Sequence, residues 1–162
     1  MRALALLLLL PLLFTSFVSI AEPVPEDIKV YHDPECQCCH RWINHLKENK
    51  FNVLDIPVRN MSEVQQAAKV PKPMEACHTA TIDGYIIEGH VPAAEIYRLL
   101  AEKPDIKGLS VPKMPIGSPG MEAGDRKEPF IVFQFDKAGK FSVFSRYEVD
   151  ENNQYQIQLP NE

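Results

Sequence analysis

The chain has 162 residues, of which 17 are Lys or Arg and 22 are Asp or Glu, for a net charge of −5. With no basic block anywhere in it, this acidic balance excludes a nucleic-acid binder that works by phosphate neutralisation. The length suits one compact domain rather than two, and fourteen prolines, many of them between Val70 and Pro129, point to long ordered loops.

Met1-Arg2 is followed by an apolar run from Ala3 to Phe14, and small residues stand at Ser19 and Ala21. This is the pattern of a secretory signal peptide, residues 1–21, cleaved after Ala21. A membrane span is the competing reading. It needs about twenty apolar residues, and no later run supplies them. No cysteine near the cleavage region offers a lipid attachment point. The mature chain, residues 22–162, is therefore expected to be periplasmic, without stable insertion in a membrane.

Ile28 to Tyr31 reads as a short strand broken by Asp33-Pro34. From Cys39 to Lys50, Trp42, Ile43 and Leu46 fall at helical spacing. Phe51 to Val58 reads as a second strand. A short helix follows from Ser62, with Glu63 one residue later, through Lys69 to the stop at Pro71 and Pro73. Two apolar runs between Thr79 and Glu88 flank Asp83-Gly84, whose residue types supply the positive dihedrals of a tight hairpin turn. Pro92 suits a first helical position, and Ala93, Ile96, Leu99 and Leu100 form the buried face of a helix ending near Glu102.

The order is strand, helix, strand, helix, hairpin, helix, which predicts an α/β chain of thioredoxin-like fold with its core at about 28–103. Leu109 to Gly124, rich in Pro, Gly and Met, is expected to be a loop packed on the domain. Phe130 to Phe135 and Phe141 to Val149 flank Asp136 to Gly139 as a second hairpin, within about 129–149. This additional C-terminal β-hairpin either extends the sheet or covers the site, since two strands alone are marginal in water. The Asn- and Gln-rich tail after Tyr147 receives no role.

The four cysteines carry the chemistry. Cys36, Cys38 and Cys39 lie within four positions at the opening of the first helix, and Cys77 precedes His78. Cys36 and Cys39, three apart, bring their sulfurs together on the first turn, where unpaired N–H groups favour thiolate. Disulfide exchange needs one attacking and one resolving sulfur, so a third thiol at Cys38 points beyond it. Bridging thiolates suit a cluster of soft ions, and Cu(I) is the first-row ion best matched to them. Cys77 is expected to face the triplet from the start of the hairpin.

Three other readings stay open. Even cysteine counts in exported chains commonly mean structural disulfides, although two bonds here would place at least one within the triplet. A structural zinc site draws on two separated cysteine pairs. Metal-free thiol exchange needs only Cys36 and Cys39. Among the remaining candidates, His78 and His90 adjoin the presumed site and can also serve as structural hydrogen-bonding residues. His32, His40 and His45 are expected at the surface. Met114 and Met121 frame Pro115 to Gly120 and offer thioethers, although loop methionines more often pack. Trp42 is expected in the core. No acid–base pair for hydrolysis stands out.

The runs Tyr31-His-Asp-Pro-Glu-Cys-Gln-Cys-Cys-His-Arg-Trp42, Cys77-His-Thr-Ala80, Asp83-Gly-Tyr85, Glu88-Gly-His-Val-Pro-Ala-Ala-Glu95 and Met114-Pro-Ile-Gly-Ser-Pro-Gly-Met121 resemble the CopG-like family of periplasmic copper-resistance proteins. The resemblance spans roughly Ile28 to Tyr147. It implies a thioredoxin-like fold that binds several copper ions through Cys36, Cys38, Cys39 and Cys77. A part in interconverting Cu(I) and Cu(II), hence a copper oxidoreductase activity, comes with it, as do copper-efflux or copper-carrier proteins as partners. Gln37 departs from the glycine expected between the first two cysteines and would restrict the loop if a positive dihedral were needed there.

Overall fold

The computed structural model describes residues 27–160; the expected signal peptide lies outside them. Eight strands form one mixed sheet in the order β2-β1-β3-β4-β5-β6-β7-β8. They are β1 (Asp27–His32), β2 (Asn52–Pro57), β3 (His78–Ile82), β4 (Tyr85–Gly89), β5 (Gly108–Val111), β6 (Phe130–Phe135), β7 (Phe141–Val149) and β8 (Tyr155–Gln158). Three α-helices accompany them, α1 (Gln37–Glu48), α2 (Met61–Ala68) and α3 (Ala93–Glu102), with a short 3-10 turn at Lys72–Met74. The fold is thus mixed α/β and dominated by its sheet.

Apolar periodicity sorts the helices onto opposite faces. Trp42, Ile43 and Leu46 of α1 and Ala93, Ile96 and Leu99 of α3 join Ile28, Val30, Ala80, Ile87, Leu109 and Val132 in one core. Each fully buried large aliphatic side chain there contributes roughly 1.5–3 kcal/mol. Val70 and Met74, after α2, cover Ile86 and Phe135 in a smaller cluster. Helical crossovers make β1–β2 and β4–β5 parallel, while β1–β3 and β3–β4 are antiparallel. Asp83 (φ 45) and Gly84 (φ 80) take the positive dihedrals that their turn predicts.

Several sequence expectations are corrected. The segment read as a loop from Leu109 begins with strand β5, fully buried and parallel to β4. Its pairing is set by distant residues, and a four-residue apolar run carries no period. Gly108 allows that pairing, because a Cβ there would lie 2.1 Å from the Ile86 carbonyl oxygen. Helix α2 starts at Met61, one residue before Ser62, after the N-cap Asn60, whose Nδ2 donates to Glu63 at 2.8 Å. The C-terminal hairpin extends the sheet, with a register shift at Val132/Phe133, and part of the tail forms the edge strand β8. Glu95, buried on α3, fastens this extension by accepting from Ser145 (2.8 Å) and Tyr147 (2.9 Å). Arg98 pairs with Glu95 and lies over the Phe144 ring, completing the anchor.

Two histidines expected at the surface also have interior work. His32 is 1% exposed, with ring nitrogens 2.8 Å from the Asp33 carbonyl oxygen and 2.6 Å from Asp55 Oδ1. His45, half-buried on α1, accepts the N–H of Ala93 at Nε2 (3.1 Å), supplying the acceptor that Pro92 at the start of α3 lacks. Burial holds the His45 pKa below its usual value, against the opposing charges of Glu122 and Glu48. Only the unprotonated nitrogen can accept. The unfolded chain therefore takes the proton first as pH falls, so this stabilisation is complete above about pH 6.5 and drains away below it. His45→Ala is expected to cost about 1 kcal/mol in denaturant unfolding at pH 8 and to flatten the pH dependence between 5 and 7; equal curves for both chains would show that the cap contributes nothing.

Candidate metal centre

Strand register builds the site. β1 and β3 are antiparallel with His32 opposite His78, so the residues just after β1 and just before β3 meet at one end of the sheet. β4 returns there, placing His90 after Gly89, and β5 runs parallel to β4 toward the same end, sending the Pro115 to Met121 loop over it. Chain reversal at Asp33, whose carbonyl oxygen accepts from the Cys36 N–H at 3.0 Å, leads directly into α1. Cys36 is the N-cap residue, its sulfur accepting from the Cys39 N–H at 3.3 Å. Gln37 is not among the positive-φ residues, so the glycine expected there is not required.

All four cysteine sulfurs lie within 4.8 Å of one another. Cys36 and Cys39 are joined in a disulfide, while Cys38 and Cys77 are free. The Cys38 sulfur is 3.5 Å from Cys36 and 3.8 Å from Cys77, and Cys39 Sγ lies 3.6 Å from the Cys77 carbonyl oxygen. Cys77 thus faces the triplet as the sequence predicts. Thiolate is the metal-binding form, so a full four-sulfur set requires two-electron reduction of the Cys36–Cys39 bond.

Two imidazoles reach the same sulfur. His78 Nδ1 and His90 Nε2 are each 3.2 Å from Cys77 Sγ. His90 Nδ1 donates to the Pro119 carbonyl oxygen at 2.8 Å, which leaves its Nε2 lone pair aimed at Cys77. Hydrogen-bond accounting then places a proton on the sulfur, donated to His90, with His78 Nδ1–H donating to the sulfur in turn. Burial raises the Cys77 pKa, with the Cys38 sulfur adding to the effect, in agreement with a thiol. Burial also lowers both histidines, His78 further by its proximity to His90. His78 Nε2 is buried without a hydrogen-bond partner, its ring lying 4.4 Å from that of Trp42.

The methionines separate. Met121 follows Gly120, which packs so tightly on α1 that a Cβ would lie 2.8 Å from both the Cys38 carbonyl oxygen and the Trp42 nitrogen. Arg41 Nε adds a 2.8 Å bond to the Gly120 carbonyl oxygen. Met114 is 46% exposed and lines a groove with Pro115, Glu128 and Phe133, none of which belongs to the cysteine cluster. His40 stacks edge-on with His32 rather than joining the cysteines.

Sequence reasoning missed the support beneath Cys77. Glu88 Oε1 accepts from the Ala76 N–H (2.7 Å) and from Gln65 Nε2 (2.8 Å), and its Oε2 from the Thr79 hydroxyl (2.6 Å). Gln65 also donates to the Ala76 carbonyl oxygen at 2.9 Å, so one residue is gripped at both its N–H and its C=O. Ser110 holds the Met74 carbonyl oxygen at 2.7 Å. Burial pushes the Glu88 pKa up to about 7 despite these three donors. A carboxylate inside the apolar run Ile86-Ile87-Glu88 was the available signal.

Residues 74–121 match a family described as a protein of unknown function, DUF411. Two solved structures of a copper resistance protein, CopG, in its forms 2 and 1, are each 46% identical to this chain. They superpose with TM-scores of 0.73 and 0.72, cover 76% of this chain, and are themselves covered to 99% and 98%. No curated protein matches the chain.

Replacing Gln65 by Met removes one donor from Glu88 and the donor to the Ala76 carbonyl oxygen. The expected cost is about 1–3 kcal/mol in chemical denaturation, with faster alkylation of Cys77 under native conditions. Unchanged alkylation would show that the loop is held by other contacts.

Proposed function

Because the chain belongs to the CopG-like family of copper-resistance proteins, we propose that it binds Cu(I) through Cys36, Cys38, Cys39 and Cys77 and acts in copper resistance outside the cytoplasm. The observation that carries this reading is the convergence of four sulfurs within 4.8 Å, in a chain 46% identical to a copper resistance protein. Soft thiolates select Cu(I), and sulfurs this close can each bridge two ions, so several coppers per chain are expected. His78 and His90 stand ready on the Cys77 side. Met121 is the better-placed thioether, since Met114 faces outward.

A thioredoxin-like reading of the first four strands is supported by their order β2-β1-β3-β4, with a parallel pair, a hairpin and the reactive cysteines after the first strand. Periplasmic location rests on the N-terminal sequence. No helix among the described residues is long and apolar enough to cross a membrane, and copper-efflux or copper-carrier proteins are the expected partners. Redox chemistry follows from the same sulfurs. The Cys36–Cys39 disulfide can take one electron from each of two Cu(I) ions, with two protons, giving two Cu(II) and two thiols; the reverse reduces two Cu(II) and restores the bond.

Metal-free thiol–disulfide exchange is the second reading, favoured by that same disulfide at the start of α1. Anaerobic Cu(I) titration of the reduced chain separates the two. More than one Cu(I) per chain is expected. Cys77→Ser and Cys38→Ser should each lower the stoichiometry and weaken affinity by more than the roughly 10–100-fold that outer-shell changes alone cost. No bound Cu(I), with Cys36–Cys39 exchange intact in Cys38→Ser, would establish the metal-free reading instead.

A further inference from the structure

We infer that Cys77, His78 and His90 form a second metal site, for a divalent first-row cation, which stays complete while Cys36 and Cys39 are joined in their disulfide. It shares Cys77 with the proposed Cu(I) set but does not depend on Cu(I) binding.

The disulfide removes two of the four thiolates from the sulfur set, leaving Cys38 and Cys77. The mixed set loses nothing. Its three ligand atoms, Cys77 Sγ, one nitrogen of His78 and one of His90, lie within 4.8 Å of one another, with both nitrogens 3.2 Å from the sulfur. Separations of this size fit a metal at about 2.0–2.1 Å from nitrogen and 2.3 Å from sulfur. One thiolate and two neutral imidazoles form a borderline donor set, which suits Co(II) or Cu(II) better than an all-sulfur set does and holds Zn(II) as well.

Each imidazole is prepared for the role. His90 donates Nδ1–H to the Pro119 carbonyl oxygen, the outer-shell bond that fixes a ligating histidine's tautomer and orientation. His78 Nε2 has no hydrogen-bond partner, so the bond to Cys77 Sγ, which the metal replaces, is what holds the proton on Nδ1. Moving that proton to Nε2 turns the Nδ1 lone pair toward the metal. Binding then releases one proton, from the Cys77 thiol, and no redox change is involved. Three protein ligands leave a fourth position open, as catalytic and transfer sites do. Reduction of Cys36–Cys39 would restore the competing sulfur set, so the state of one disulfide would select which kind of ion Cys77 holds.

Co(II) is the probe, added anaerobically without reductant to the mature chain with its Cys36–Cys39 bond intact and two titratable thiols. One Co(II) per chain is expected, with a sulfur-to-cobalt charge-transfer band and the intense visible bands of four-coordination. His90→Ala should weaken binding by more than the roughly 10–100-fold that loss of an outer-shell partner costs, whereas Cys38→Ser should leave it within about twofold. A band absent from the unmutated chain, or one that survives His90→Ala and vanishes in Cys38→Ser, overturns the proposal. Since substitution of the buried His78 can prevent folding, its part is read on the unmutated chain: paramagnetic NMR should display two shifted imidazole N–H signals, from His78 Nε2–H and His90 Nδ1–H, and fewer than two rejects the site. The copper reading is tested on the reduced chain with Cu(I), so either can fail alone.

Discussion

The antiparallel pairing of β1 with β3 is the constraint on which the site depends. Cysteines 38 and 77 are separated by thirty-nine positions, yet their sulfurs stand 3.8 Å apart, because His32 opposite His78 leaves the two flanking loops no other place to go. A one-residue slip would turn every side chain of β3 to the other face. Val30, Ala80 and Ile87 resist that slip, since all three are buried in the core beneath α1 and α3. Apolar packing thus specifies the distance between sulfurs that carry none of the packing themselves.

Close to the site, the fold uses buried polar groups where apolar ones would be simpler. Glu88 loses its water, accepts three hydrogen bonds in exchange, and is still pushed up to about 7 by burial. Burying such a group is costly unless it is fully bonded. What the arrangement delivers is direction: a grip on both the N–H and the C=O of Ala76, the residue before Cys77. Glu95 does the same at greater distance, joining α3 to β7 and so holding the C-terminal extension onto the core. His78 is the exception, with one nitrogen unbonded in the interior, and it touches the sulfur at the centre of the chemistry.

That sulfur is shared by two clusters of side-chain atoms that differ in softness. The sulfurs of Cys36, Cys38 and Cys39 lie within 4.8 Å of it, and one nitrogen of each of His78 and His90 lies 3.2 Å away. Because a sulfur in a disulfide no longer ligates as thiolate, the redox state of Cys36–Cys39 changes one set and leaves the other intact. The loop from Pro115 to Met121 closes over both, its Gly120 against α1 and its Pro119 carbonyl oxygen on His90. It therefore couples the helix that carries Cys38 and Cys39, capped by Cys36, to the histidine that faces Cys77.

Local patterns were legible wherever the residues carried the signal themselves. The helical stripe of Trp42, Ile43 and Leu46, the Asp83-Gly84 turn, the α3 face and the C-terminal hairpin each follow from spacing or turn chemistry within about ten residues. Strand β5, the interior placement of His32 and His45, and the Gln65–Glu88 grip depend on partners 20 to 50 positions away, and no local period announces them. By itself the sequence determined which atoms were available: three thiols on one helical turn, a fourth beside a histidine, and a resemblance specific enough to name a family. Only the tertiary structure decided which of those atoms meet, bonding Cys36 to Cys39, turning His78 and His90 onto Cys77 and leaving Met114 outside, because contact between distant residues is set by strand register and core packing rather than by the spacing of residues along the chain.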